Sequence, residues 1–138
     1  MDLQDYNRKT IKEFRAKRDE AGEPITDRPL LLLTTTGAKS GKRRTTPLMF
    51  VPDDRLLVIA SNAGAPKRPD WYHNLAANPE VTVEVGAETY EAFATVATGE
   101  QREKLWSRIV ESYPFFAEHQ TKSASRQIPV VALEPLEG

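Results

Sequence analysis

The spacing of apolar residues changes several times along this chain, and each change predicts an element. Over residues 2–20, Leu3, Tyr6, Thr10, Ile11 and Phe14 recur three or four positions apart among charges, a thin apolar stripe on a helix. Gly22, Pro24 and Pro29 break that rhythm and mark a linker. Dense β-formers follow, predicting strands over 30–36, 44–51 and 56–61, with a turn at 52–55. Pro47 falls inside the second run and places it at an edge or bulge, because proline cannot donate to a ladder. Residues 62–68 read as a polar loop with Gly64 and Pro66. Residues 69–78 form a short helix with proline in its first turn, stopped before Pro79. Val81, Val83 and Val85 alternate with polar residues, as in a half-buried strand, and Gly86-Ala87 turns into a partner strand over 89–96. Thr98 with Gln101 resembles a capping box. It opens a helix with Leu105, Trp106, Ile109 and Val110 on one face, ended at Tyr113-Pro114. A second short helix over 115–121 and a last strand over 128–133 complete the set.

Hairpin-length connections dominate the first five strands, which argues for antiparallel pairing over crossovers. About six strands on one core predict a mainly β fold, a small barrel with helices on its flank. The expected division is an N-terminal helix and linker over 1–28 and a barrel domain over 29–138. A length of 138 residues suits one such core. Charged residues make up 28% and apolar residues 39%, as in an ordinary globular chain, and no apolar run has the length of a membrane span. The first residues lack the charged-then-apolar order of a secretory signal. Cysteine is absent, which excludes disulfides and thiol catalysis and fits a cytoplasmic setting. The two histidines and the carboxylates show no metal-ligand spacing, so no metal is expected.

The strongest chemical signal is Thr36-Gly37-Ala38-Lys39-Ser40-Gly41-Lys42-Arg43-Arg44, between the first two strands. Lys39, Lys42, Arg43 and Arg44 put four positive charges in six positions, and no acid occurs between Asp27 and Asp53. Two glycines allow a tight reversal with outward amides. Such a loop suits phosphate or carboxylate groups; on charge alone, a solvated hairpin turn fits equally well. It is not a P-loop: Gly37 and Gly41 enclose three residues where that motif needs four, and a strand follows instead of a helix. A net charge of −1 argues against nucleic acid as partner.

Four segments together resemble the deazaflavin (coenzyme F420)-dependent nitroreductase and quinone reductase family of actinobacteria. They are Leu32 to Leu48, Ala60-Ser61-Asn62-Ala63-Gly64-Ala65-Pro66, Pro69 to Pro79, and Arg126-Gln127-Ile128-Pro129-Val130-Val131. The resemblance implies a split β-barrel of the flavin-reductase type, coenzyme F420 as cofactor, and hydride transfer to a quinone, with nitroaromatic reduction as a side activity. Ordinary FMN, or a non-catalytic deazaflavin carrier, is the alternative. By the same resemblance, Lys39, Ser40 and Arg44 meet the cofactor's phosphate and glutamate tail. Thr45, Thr46, Pro47, Leu48 and Met49 run along the cofactor. Ala60, Ser61, Asn62 and Ala63 let backbone amides approach the ring. Trp71, Tyr72, His73, Asn74 and Leu75 close the site.

Residue types alone give blander readings beside these. Trp71 and Tyr72 read first as core packing, His73 as an exposed or locally bonded ring, and Ser61-Asn62 as the start of a turn. The chain departs from the family over Tyr113-Pro114-Phe115-Phe116-Ala117-Glu118-His119-Gln120, where tyrosines facing the ring and substrate are usual. His119 occupies such a position and Phe116 offers an apolar wall, so Phe116 and His119 are the candidate substrate pocket. His119 and Tyr113 are the candidate proton donors, with solvent an equal source; no protein group is obligatory. The sequence leaves three places for residues 2–20: packed on the barrel, covering the pocket, or, as a basic amphipathic helix, lying on the inner face of a membrane. It leaves the oligomeric state open.

Overall fold

The computed structural model describes residues 3–19, 30–53, 55–61, 69–86, 88–122 and 127–136. In chain order they form α1 (Leu3–Asp19), β1 (Leu30–Thr36), β2 (Arg43–Val51), β3 (Leu56–Ile59), α2 (Asp70–Ala77), β4 (Glu80–Val85), β5 (Glu88–Val96), α3 (Gly99–Ser112), α4 (Phe115–Lys122) and β6 (Val130–Pro135). The strands close into a barrel in the order β1-β2-β3-β6-β5-β4, every pairing antiparallel. The expected six-stranded antiparallel barrel with flanking helices is therefore the fold, with element ends shifted by one or two residues. The linker expected over 21–29 lies outside the described residues.

Strand alternation divides the apolar residues between two cores. Leu31, Leu33, Val58, Val81, Val83, Val131 and Leu133 point into the barrel, where Trp71 and Leu75 of α2 join them. Leu57, Ile59, Val130 and Ala132 point outward and are covered by Leu105 and Ile109 of α3 and Phe116 of α4. Fully burying each such side chain is worth about 1.5–3 kcal/mol, so both layers are needed to hold so small a barrel. Arg108 Nη1 meets Asp53 Oδ1 at 2.9 Å and ties α3 to the turn between β2 and β3.

The capping box at α3 does not form. Thr98 stands at the N-cap, yet its hydroxyl makes no cap hydrogen bond. Gly99 follows at φ +58°, a left-handed conformation that swings the chain out of the geometry a capping hydroxyl needs.

The barrel is split on one side. β1 pairs with β2 along its whole length, from Leu30↔Met49 to Thr36↔Arg43. On its other edge β2 pairs with β3 only at Phe50↔Val58 and Val51↔Leu57. Residues 43–49 of β2 thus have an edge with no strand partner among the described residues. Pro47 lies in this stretch, as its missing N–H requires. Beyond the split, β3 leaves β2 and continues with β6, and the Ala60 amide donates to the Pro129 carbonyl at 3.0 Å.

Candidate functional site

The basic loop joins β1 to β2 at one end of the open edge. Its shape is set by hydrogen bonds within the fold. The Gly37 amide donates to the Lys42 carbonyl at 2.8 Å, and the Gly41 amide to the Gly37 carbonyl at 2.9 Å. The Lys42 amide donates to Ser40 Oγ at 3.2 Å, and the Ala38 amide to Asn74 Oδ1 at 3.0 Å. Gly41 takes φ +71°, where a β-carbon would be strained. Of the amides from 37 to 42, those of Lys39 and Ser40 alone have no partner among the described residues. Both residues are exposed at the tip of the loop, where free amides can serve an anion.

The four cations of this segment part company. Arg43 turns to the outer face, its Nη1 donating to Thr36 Oγ1 at 3.2 Å and its Nη2 to Thr82 Oγ1 at 2.5 Å. The Thr82 hydroxyl in turn contacts the Glu91 carboxylate at 2.9 and 3.0 Å, so this charge is tethered through Thr82 to an acid. Lys39, Lys42 and Arg44 are exposed, and no ion pair holds them among the described residues.

Strand alternation divides the β2 candidates. The Thr34 and Thr45 hydroxyls meet at 2.8 Å on the outer face, and Met49, in the same phase as Thr45 and Pro47, packs on the outer core. Leu48, in the phase of Arg44 and Thr46, packs toward the barrel interior. All five residues from Thr45 to Met49 are partly buried and share the open backbone edge. The edge, not one side-chain face, is what they have in common.

Ala60 and Ser61 follow β3, both buried. Asn62 and Ala63 lie outside the described residues. His119 reaches this point from α4: its Nδ1 is 3.2 Å from Ser61 Oγ. The imidazole meets Phe115 and Phe116 edge-on, at ring-centroid distances of 5.5 and 5.8 Å. Tyr113 stacks edge-on to the same two rings at 6.1 and 6.5 Å. Phe116 itself is buried in the outer core and backs His119 from within. Ser61, His119, Tyr113 and Phe116 are thus brought together, with Met49 packed against the same outer core.

The α2 group separates. Trp71 and Leu75 fill the barrel interior, as the packing reading of the tryptophan expects. Tyr72 is half-buried against that core, and exposed His73 stands edge-on to it at 5.8 Å. Asn74 is buried and bonds the loop and β1. Sequence reasoning missed two tethers that shape the site: Asn78 Nδ2 to the Thr36 carbonyl at 3.4 Å, and Gln120 Oε1 accepting the Ile128 amide at 2.9 Å, beside His119. The first has a signal, an asparagine four residues beyond Asn74 on one helix face; the second has none. Among the described residues no cluster of His, Asp or Glu could hold a metal ion.

Comparison with known proteins follows the same lines. The F420H(2)-dependent quinone reductase of Mycobacterium tuberculosis is 40% identical over 108 residues, covering 76% of this chain and 72% of that protein. A solved F420-H2 dependent reductase, FDR-A, is 47% identical with a TM-score of 0.70, covering 82% of this chain and all of that one. A structure described as a domain-swapped dimer is 42% identical with a TM-score of 0.73, covering 92% of this chain and 98% of the other. The pattern of one family matches residues 6–135, nearly the whole chain, and by that match this protein belongs to the F420H(2)-dependent quinone reductase family.

Proposed function

We infer that this protein is an F420H(2)-dependent oxidoreductase that reduces a quinone, with nitroaromatic reduction a side activity of the same pocket. One observation carries the reading beyond family membership. Among the described residues, a cationic hairpin with two unpartnered amides stands at the end of a strand edge that no strand pairs, and Ser61 with His119 lies across the split from that edge. The donor set fits the cofactor. Lys39, Ser40 and Arg44 would hold its phosphate and tail carboxylates, arginine by two parallel hydrogen bonds. The free edge of 43–49 offers the amides and carbonyls that a flat heterocycle's polar rim requires.

Bound F420H(2) supplies the hydride. The chain's own residues orient and enclose. Ser61 Oγ, bonded to Nδ1, fixes the His119 ring, and the two phenylalanines limit its rotation. A protonated His119 at this place would stabilise negative charge developing on a quinone oxygen and could transfer its proton there. FMN remains the rival cofactor. Three unpaired cations suit a longer anionic tail better than a single phosphate. A cytoplasmic setting belongs to the same reading and is supported by the cysteine-free chain. Among the described residues no helix is long and apolar enough to cross a membrane.

The test is titration of the purified protein with F420 and with FMN, followed by turnover of menadione with F420H(2). Saturable F420 binding with turnover is expected. Tight FMN binding without F420 binding would overturn the cofactor, and F420 binding without turnover would make the protein a carrier.

A further inference from the structure

Asn74 joins three pieces of the molecule that its sequence neighbourhood gives no reason to connect. Its helix is anchored by Trp71 and Leu75, which fill the barrel interior. The residue is 9% exposed. Both ends of its amide are engaged: Oδ1 accepts the Ala38 N–H at 3.0 Å, and Nδ2 donates to Thr35 Oγ1 at 3.1 Å. Thr35 is buried and lies opposite Arg44 in register, and Ala38 directly precedes the two unpartnered amides.

We propose that Asn74 is a positioning residue for the anion-binding hairpin, holding the loop so that the Lys39 and Ser40 amides face outward, without itself touching the ligand. By accepting the Ala38 N–H it turns that peptide toward the barrel. The next two residues, Lys39 and Ser40, are then left at the exposed tip with Lys42 and Arg44. The loop is exposed and carries two glycines, so without this anchor it has many conformations of similar energy. Holding one of them before the ligand arrives lowers the ordering cost of binding. An asparagine suits the task because one planar group supplies an acceptor to the loop and a donor to the strand. The proposal rests on the reading that this hairpin holds the anionic part of the cofactor.

The test compares Asn74→Leu, Asn74→Asp and the barrel-interior variant Val83→Ala. Measured are melting temperature, amide hydrogen exchange at Ala38 in the ligand-free protein, and dissociation constants for F420 and for a tail-free deazaflavin. Asn74→Leu should speed exchange at Ala38. It should also weaken F420 binding about tenfold, the equivalent of one lost hydrogen bond, with little change for the tail-free compound. Asn74→Asp keeps an acceptor for Ala38 and can accept the Thr35 hydroxyl proton, so it should restore slow exchange and most of the selectivity for the tail. Val83→Ala should lower the melting temperature without a tail-selective loss. Should Asn74→Leu not fold, Thr35→Val carries the test through the same orienting hydroxyl and should show the same tail-selective loss. Unchanged exchange at Ala38, or equal losses for both ligands, would overturn the role of Asn74. If Lys39→Ala and Arg44→Ala also leave F420 affinity unchanged, the anion-binding reading of the hairpin fails first. If those two variants weaken binding and the Asn74 variants do not, only the positioning role fails.

Discussion

Lys39 and Arg44 differ from Arg43 in one respect: among the described residues no ion pair holds their charge, whereas Arg43 is bonded to Thr36 and Thr82. Lys39→Ala and Arg44→Ala should each weaken F420 binding by about 1–3 kcal/mol, the range for charge-assisted bonds. The loss should shrink for a tail-free deazaflavin, and also at high salt, because exposed charges are screened over about 8 Å at physiological ionic strength. Titration at two salt concentrations checks both. Arg43→Ala should weaken binding less, since its charge faces the outer side of β4 and β5. His119→Phe should lower quinone turnover by up to ~100-fold, the low end for a positioned general acid, with F420 affinity near wild type. Wild-type turnover in that variant would reduce His119 to a packing residue. The sequence showed the histidine in place of an expected tyrosine; it gave no sign of Ser61, 58 positions away, as its partner.

Among the elements, α1 resolves one question the sequence left open. It packs beside β2, with Thr10, Ile11 and Phe14 half-buried. Arg15 forms a bidentate pair with Glu84 of β4, Nε to Oε1 at 3.1 Å and Nη2 to Oε2 at 2.8 Å. The hydrogen bond to Glu84 raises the Arg15 pKa above its usual value; partial burial opposes this, and the Coulomb attraction of Glu84 reinforces it. The Glu84 side chain is 9% exposed and that of Arg15 45%. Losing the arginine therefore removes two charge-assisted hydrogen bonds from a buried carboxylate. Arg15→Ala should cost ~1–2 kcal/mol in urea unfolding, the lower part of the range for hydrogen bonds to a charged group, because the arginine is screened by solvent. Glu84→Gln leaves no buried charge and should cost less. Equal and negligible losses would show that the pair is ornamental to stability. A helix held this way has less freedom to lie on a membrane, so deleting residues 1–20 should leave co-sedimentation with anionic vesicles unchanged. The stripe and the charges of α1 were legible; the acid that receives Arg15 was not, because Glu84 reads in sequence as an ordinary outward residue of an alternating strand.

For the whole molecule, Tyr90 on β5 gives a way to follow the stability of the closed barrel. Its ring packs against the interior core. Burial first, then the negative charge of Glu88, raises its pKa above the ordinary tyrosine value. The folded state thus holds this proton more tightly than the unfolded chain does. The resulting stability is fully present below the unfolded pKa of about 10 and is lost as pH rises through the higher folded value. Unfolding free energy should fall above pH 10, and Tyr90→Phe should make that fall shallower; identical alkaline profiles would remove Tyr90 from the account. The sequence by itself determined the strands, their antiparallel pairing, the cationic hairpin and the placing of Pro47 at an edge or bulge, since each is written in neighbouring residues as a two-residue alternation, a run of charge or a missing donor. Only the tertiary structure decided that β3 would pair with β2 at two positions and leave residues 43–49 without a strand partner among the described residues. It alone turned Trp71 and Leu75 into the barrel, engaged Asn74 with the loop, and brought His119 to Ser61. Local pattern records which face of an element avoids water. Which distant group meets it there is set by register and by closure of the barrel, and those depend on all six strands at once.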